Sequence, residues 1–177
     1  QTHDRFAKKG DYTAHAFDNF PVEQWLEAFA RHFKNKQVSM VITGGEPLLD
    51  KKNMTVLLKE LTAMPEVRCI RIDTNASWKP RAYKELDLEK IILMCTYHPS
   101  QTTKEAFMAS IRDVIDAGFQ VGMVNYVMDD ANFKGFKETQ RELFEELGVP
   151  LHPNPLWDSS GLYSEKDLDF LQQELNA

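Results

Sequence analysis

The sequence predicts an α/β fold in which short parallel strands alternate with helices. Apolar, strand-like runs recur along the chain, and the segments between them have the 3.6-residue apolar spacing of helices that cover a sheet. The runs begin at residues 38, 68, 91, 121 and 151. A strand, a crossover helix and two short loops together occupy roughly 30 residues, so the spacing favours repeated βα units.

Five runs are predicted to be strands, and ligands are expected where these strands end. The runs are VSMVIT from Val38, RCIRIDT from Arg68, IILMCTY from Ile91, VGMVNYVM from Val121 and LHPNPLW from Leu151. Parallel βα repeats place their ligand sites at the carboxyl ends of the strands, in closed barrels and in doubly wound sheets alike. The pattern itself leaves both architectures open.

Apolar stripes predict helices before and between the strands, within one domain of residues 1–177. Residues 1–20 are expected to form a long N-terminal loop, and residues 21–177 are expected to form a helix followed by five βα units. Gly118 and Gly148 mark helix ends, and residues 80–86 form a short helix at most. Asp129 and Asp130 are expected to begin a helix as a solvated pair, and Ser164 with Asp167 resembles a capping box. The stripes are Val22, Trp25, Leu26, Phe29 and Phe33; Met54, Leu57, Leu58 and Leu61; Phe107, Ile111, Val114 and Ile115; Phe133, Phe136, Leu143, Phe144 and Leu147; and Leu168, Leu171 and Leu175.

Composition narrows the functional class. The chain has 177 residues, 42% of them hydrophobic, and a formal net charge of -6. The net negative charge argues against nucleic-acid binding, which would need a clustered cationic face, and no apolar run is long enough to span a bilayer. We therefore expect a cytoplasmic protein. Cys69 and Cys95 are too far apart for a close-spaced metal knuckle and are predicted to be buried structural thiols.

The segment Thr43-Gly44-Gly45-Glu46-Pro47-Leu48-Leu49 is the strongest candidate binding site. Two glycines allow a ligand to approach the backbone closely, and Pro47 stiffens the turn. Exposed carbonyls together with the charge of Glu46 suit a cationic amine better than a phosphate. An ordinary βα turn with a solvated glutamate is the alternative interpretation.

This segment, placed between an apolar strand and an amphipathic helix, resembles the glycine-glycine-glutamate motif of the radical S-adenosylmethionine (SAM) superfamily. The resemblance covers nearly the whole chain and implies a partial (βα)6 TIM-like barrel whose first strand lies upstream of Gln1. In that family the motif contacts the amino group of the methionine moiety of SAM. Gly44, Gly45, Glu46 and Pro47 are thus expected to bind SAM.

The resemblance also implies a [4Fe-4S] cluster held by a CxxxCxxC loop, which this chain lacks. We expect the loop upstream of Gln1 and expect the chain alone to be inactive and to provide no metal ligands. The implied function is an oxidoreductase, transferase or lyase that generates a 5′-deoxyadenosyl radical to modify an organic substrate, either a small molecule or a peptide. The implied electron donor is a flavodoxin or a ferredoxin.

Polar residues at the other strand ends complete the predicted cofactor site. Asn75 resembles the central position of a TNG-like triplet that approaches SAM, and Thr96 and His98 end the next strand. Asn125 belongs to the strand after that, and residues 151–156 lie where family members contact adenine. A turn-organising role for Asn75 and a loop-capping role for His98 are the alternatives, as is an acid or base role for His98.

Two other functional classes remain open at this point. The first is a degenerate, non-catalytic barrel that serves as a binding module. The second is an unrelated βα hydrolase or isomerase that uses Glu46, Asp73 and His98 around another ligand. The second predicts activity that needs no iron and is indifferent to oxygen.

Overall fold

The computed structural model describes residues 17, 20–128, 133–156 and 163–176. Within them, five strands form one parallel sheet whose order follows the chain from β1 to β5 without closing. Doubly wound sheets reverse their strand order, so this arrangement is compatible with a partial α/β barrel. The strands are β1 (Val38–Ile42), β2 (Val67–Thr74), β3 (Ile91–Tyr97), β4 (Gln120–Met128) and β5 (Leu151–Pro155).

The helices lie in the predicted segments before, between and after the strands. The predicted capping box is present, because the Asp167 N–H donates to Ser164 Oγ and the Ser164 N–H donates to Asp167 Oδ2. Residues Pro80–Tyr83 form a short 3₁₀ turn, whereas Asp129 and Asp130 lie outside the described residues. The helices are α1 (Val22–Phe33), α2 (Lys51–Ala63), α3 (Lys104–Asp116), α4 (Phe133–Leu147) and α5 (Glu165–Leu175).

The two faces of the sheet differ in burial. Alternate strand residues point to opposite faces, and those of one parity, such as Ile72 and Leu93, pack with helical residues such as Leu58 and Ile111 in one hydrophobic cluster. The described helices therefore cover one face. The other, here called the open face, is less buried, and its residues include Val41, Arg71, Asp73, Ile92, Met94, Thr96, Met123 and Asn125.

Several residues of the predicted core stripes are exposed, which corrects the sequence prediction. Trp25 on α1 and Phe144 on α4 are exposed, as are Leu168 and Leu175 on α5, where only Leu171 is buried. Helix α5 contacts the edge strand β5, so its buried stripe is narrow. The Trp25 ring instead packs edge-on against Phe20, with ring centroids 6.4 Å apart.

A search of the described residues finds no helix with the length and apolar character that a membrane span requires.

Candidate ligand site at the ends of β1 and β2

The turn after β1 has a backbone that favours glycine. Gly44 and Gly45 have φ angles of 101° and 55°, a left-handed region that other residues adopt at an energetic cost. A Cβ built on either glycine meets no atom within 4 Å. Both residues are exposed, and Pro47 begins the 3₁₀ turn Pro47–Leu49 that leads into α2. The turn therefore borders open space that a ligand can enter.

Glu46 is fixed by the neighbouring strand. Its Oε1 accepts a hydrogen bond from the Thr74 hydroxyl at 2.6 Å, and its Oε2 accepts one from the Asn75 N–H at 2.7 Å. These bonds join two turns that are 28 and 29 residues apart in sequence. The Glu46 carboxylate is thus a positioned group rather than the freely solvated one of the alternative interpretation.

The Thr74 hydroxyl, which donates to this carboxylate, makes all three hydrogen bonds that a hydroxyl can make. While its O–H donates to Glu46, Thr74 Oγ1 accepts from the Ala76 N–H at 3.1 Å and from Trp78 Nε1 at 2.9 Å. A hydroxyl has one donor and two acceptor positions. Thr74 is only 4% exposed, so water does not readily substitute for any of these three partners.

The turn after β2 shows both the turn-organising hydrogen bond expected of Asn75 and a backbone conformation that fits a TNG-like triplet. The Asn75 side-chain Oδ1 accepts from the Ser77 N–H at 2.9 Å, which is the turn-organising role considered as an alternative. Ala76, in the third position of the TNG-like triplet, has a φ of 57°, a conformation that glycine adopts most readily. Asn75 is exposed beside the Glu46 turn, with which its backbone makes contact.

Two of the other predicted site residues lie next to each other on the open face. Thr96 and Asn125 are Cα partners on β3 and β4, and Asn125 is paired in turn with His152 on β5. His98 follows β3, where its backbone carbonyl accepts from the N–H groups of Gln101 and Thr102. Parallel strands end at the same edge of a sheet, so these residues share the edge that carries the Gly44–Glu46 turn. Neither Thr96 nor Asn125 donates to Glu46 among the described residues, where its donors are Thr74 and Asn75.

An ion pair lies on the same face, within β2 rather than in the turn after it. Arg71 Nε donates to Asp73 Oδ1 at 2.7 Å, and Arg71 Nη2 donates to Asp73 Oδ2 at 3.1 Å. Both residues belong to the central part of the sheet, with Arg71 paired to Val41 and Ile92 and Asp73 paired to Met94. The Asp73 carboxylate is therefore compensated by a guanidinium.

The cysteines do not form a metal site. Cys95 is fully buried on the helix-facing side of β3, as predicted, and this burial together with the negative charge of Glu46 raises the pKa of its thiol to about 12. Cys69 is only partly buried, contrary to the prediction, and lies on the opposite side of the sheet. Cysteine binds a metal ion as its thiolate. The described residues contain no group of three His, Cys, Asp or Glu side chains that could hold a metal ion.

The sequence analysis did not identify three residues that the structure brings to the site. Thr74 contacts Glu46 through the pairing of β1 with β2, which no local pattern encodes. Trp78 supports Thr74 by donating its indole N–H to the Thr74 hydroxyl. Arg71 is a charged residue between two fully buried isoleucines of β2, Ile70 and Ile72, and that charge within an apolar run is the signal that could have drawn attention to it.

The sequence matches no protein-family model, and no curated protein shows significant similarity to it.

Proposed function

We propose that this chain binds SAM at the Gly44-Gly45-Glu46 turn and acts as the core of a radical SAM enzyme. The observation that carries the proposal is the anchoring of Glu46 by Thr74 and Asn75 beside two left-handed glycines. This arrangement places an exposed glycine backbone and a fixed negative charge at the carboxyl end of the sheet.

The chemistry of the turn fits the cationic amine of SAM. A carboxylate can accept about four hydrogen bonds, and Thr74 and Asn75 use two of those positions on Glu46. The remaining positions and the carbonyls beside the glycines are suitable acceptors for an ammonium group. In this proposal the adenosyl portion extends along the strand ends toward Thr96 and Asn125.

The iron–sulfur cluster fits these residues poorly. A [4Fe-4S] cluster supplies the electron for SAM cleavage in this family and needs thiolate ligands. The two cysteines of the chain lie on different strands and opposite faces of the sheet. We therefore derive from this chain only the binding and orientation of SAM. A cytoplasmic location and a flavodoxin or ferredoxin as electron donor remain part of the proposal.

The geometry gives less support to an unrelated hydrolase or isomerase. That alternative needs Glu46 or Asp73 as a reactive carboxylate. Glu46 is engaged by a hydroxyl and an N–H, and Asp73 is engaged by both nitrogens of one guanidinium edge. Both carboxylates are therefore already engaged by donors of the protein itself.

Gly45→Ala should weaken SAM binding by about tenfold or more, because the methyl group enters the space beside the turn and strains its backbone. Isothermal titration calorimetry with SAM measures the change. Gly148→Ala is the matched control: Gly148 also has a left-handed φ, of 67°, and a Cβ added there meets no atom within 4 Å. The control should lose similar stability and keep wild-type affinity.

Equal losses of affinity in the two variants, or no binding of SAM by the wild type, would overturn the proposed site. The enzymatic part needs a separate measurement. Because this chain lacks the cluster cysteines, that measurement uses a gene product that carries the predicted CxxxCxxC loop. Formation of 5′-deoxyadenosine from SAM by that protein, after anaerobic treatment with iron and sulfide and addition of a reductant, supports the radical SAM assignment. Binding of SAM without 5′-deoxyadenosine formation points instead to the non-catalytic binding module.

A further inference from the structure

The open face carries the ion pair of Arg71 and Asp73 among apolar side chains, and one hydrogen-bonding edge of the Arg71 guanidinium is not used by Asp73. A guanidinium has five N–H donors and can bind a carboxylate through either of two edges. Asp73 occupies the edge formed by Nε and Nη2 of Arg71. Among the described residues, no acceptor contacts Nη1, so the edge formed by Nη1 and Nη2 is available.

The surroundings of this edge are accessible and apolar. The Arg71 side chain is 44% exposed, and Val41, its Cα partner on β1, is 54% exposed. On the other side, Ile92 pairs with Arg71, and Met94 pairs with Met123 across β3 and β4. Together Ile92, Met94 and Met123 form a half-buried apolar surface beside the ion pair.

A glycine keeps this apolar surface continuous. A Cβ on Gly122 would lie 2.7 Å from Ile92 Cδ1 and 3.3 Å from Met94 Sδ, so Ile92 and Met94 lean across the backbone of β4. Methionine is flexible and polarizable and adapts to ligands of different shape. The face therefore combines a fixed polar group with an adaptable apolar one.

We propose that the open face binds an organic substrate that has a carboxylate and an apolar body. The available edge of Arg71 holds the carboxylate, and the apolar body lies on Ile92, Met94 and Met123. This inference rests on the proposed function in one respect, namely that the open face is the substrate side. Asp73 orients the guanidinium and cancels its charge, which favours a singly charged carboxylate over a doubly charged phosphate.

The test uses 3-phenylpropanoate and its amide, 3-phenylpropanamide, as probes of the same shape. With the full chain labelled at its methionine methyl groups, two-dimensional NMR follows each titration. Met94→Leu and Met123→Leu variants assign the two relevant signals among the seven methionines. We expect the carboxylate to bind about tenfold more tightly than the amide and to shift the Met94 and Met123 signals.

Arg71→Gln should remove this preference for the carboxylate. Arg112→Gln is the matched control, because Arg112 also donates to a carboxylate, that of Glu146 at 2.8 Å, and is similarly exposed on a helix. The control should bind both probes as the wild type does. Equal affinity for the two probes, or shifts confined to other methionines, would overturn the proposal.

A titration in the presence of saturating SAM separates this inference from the proposed function. The two ligands should bind at the same time, because Arg71 and Asp73 lie within β2 whereas the Glu46 turn follows the end of β1. Displacement of the carboxylate by SAM would show that the probe occupies the SAM site and would refute a separate substrate site. If SAM fails to bind at all, the proposed function fails, while the comparison of the two probes and the Arg71→Gln variant still decides the carboxylate site.

Discussion

Thr74→Val should lower the free energy of unfolding by about 3 kcal/mol, because valine cannot replace a hydroxyl that serves three partners. The Ala76 N–H and the Trp78 indole N–H would lose their acceptor in a buried region, and Glu46 would lose a donor. Each buried polar group left without a partner costs about 1–3 kcal/mol. Urea unfolding followed by circular dichroism measures the loss.

The same substitution should weaken SAM binding by at least about tenfold, because Glu46 is no longer held toward the ligand. Thr139→Val provides the matched control. Thr139 is also buried, but its hydroxyl donates only to the Gly135 carbonyl within α4. We expect this control to change stability by less than about 1 kcal/mol and to leave SAM binding unchanged.

Thr74→Ser distinguishes the hydroxyl from the methyl group. Serine retains the donor and both acceptor positions, so the variant should recover most of the SAM affinity that valine loses. Loss of affinity in Thr74→Ser as large as in Thr74→Val would mean that the packing of the methyl group, rather than the hydrogen bonds of the hydroxyl, supports the site.

The strands could be predicted well because each is a local apolar run. The runs at Val38, Ile91 and Leu151 begin where the strands begin, and those at Arg68 and Val121 begin one residue late. The choice between a doubly wound sheet and a barrel could not be made from the same runs, since strand order depends on long-range pairing. The five described strands follow one another without the reversal of a doubly wound sheet, and the closure of a barrel stays a prediction.

Only the part of the candidate site that is formed by residues adjacent in sequence, the turn after β1, could be predicted. Gly44 and Gly45 were identified because a glycine pair after a strand indicates a turn that approaches a ligand. The partner of Glu46 was not identifiable, because the contact with Thr74 follows from the register of β1 against β2, in which Ile42 pairs with Ile72. The prediction that Trp25 packs in the core was wrong for a related reason. An apolar stripe indicates that a helix packs against the sheet, but it does not give the width of the buried part of the helix.

Glu46→Gln should weaken SAM binding by about ten- to a hundredfold, because it removes the negative charge and keeps the size of the side chain. The Thr74 hydroxyl and the Asn75 N–H both donate to Glu46, so glutamine can satisfy only one of them with its oxygen. The effect should depend on the amine of the ligand. 5′-Methylthioadenosine has the adenosyl group of SAM without the amino acid and should bind this variant and the wild type within about twofold of each other.

Glu142→Gln is the control for a general change of charge. Glu142, on helix α4, forms an ion pair with Lys104 at 2.7 Å. Its replacement by glutamine changes the net charge of the protein by the same amount as Glu46→Gln, but away from the turn. SAM affinity should be unchanged in this variant. If Glu46→Gln weakened SAM and 5′-methylthioadenosine equally, Glu46 would be supporting the shape of the turn, and the ammonium group of SAM would have to be bound by the backbone carbonyls alone.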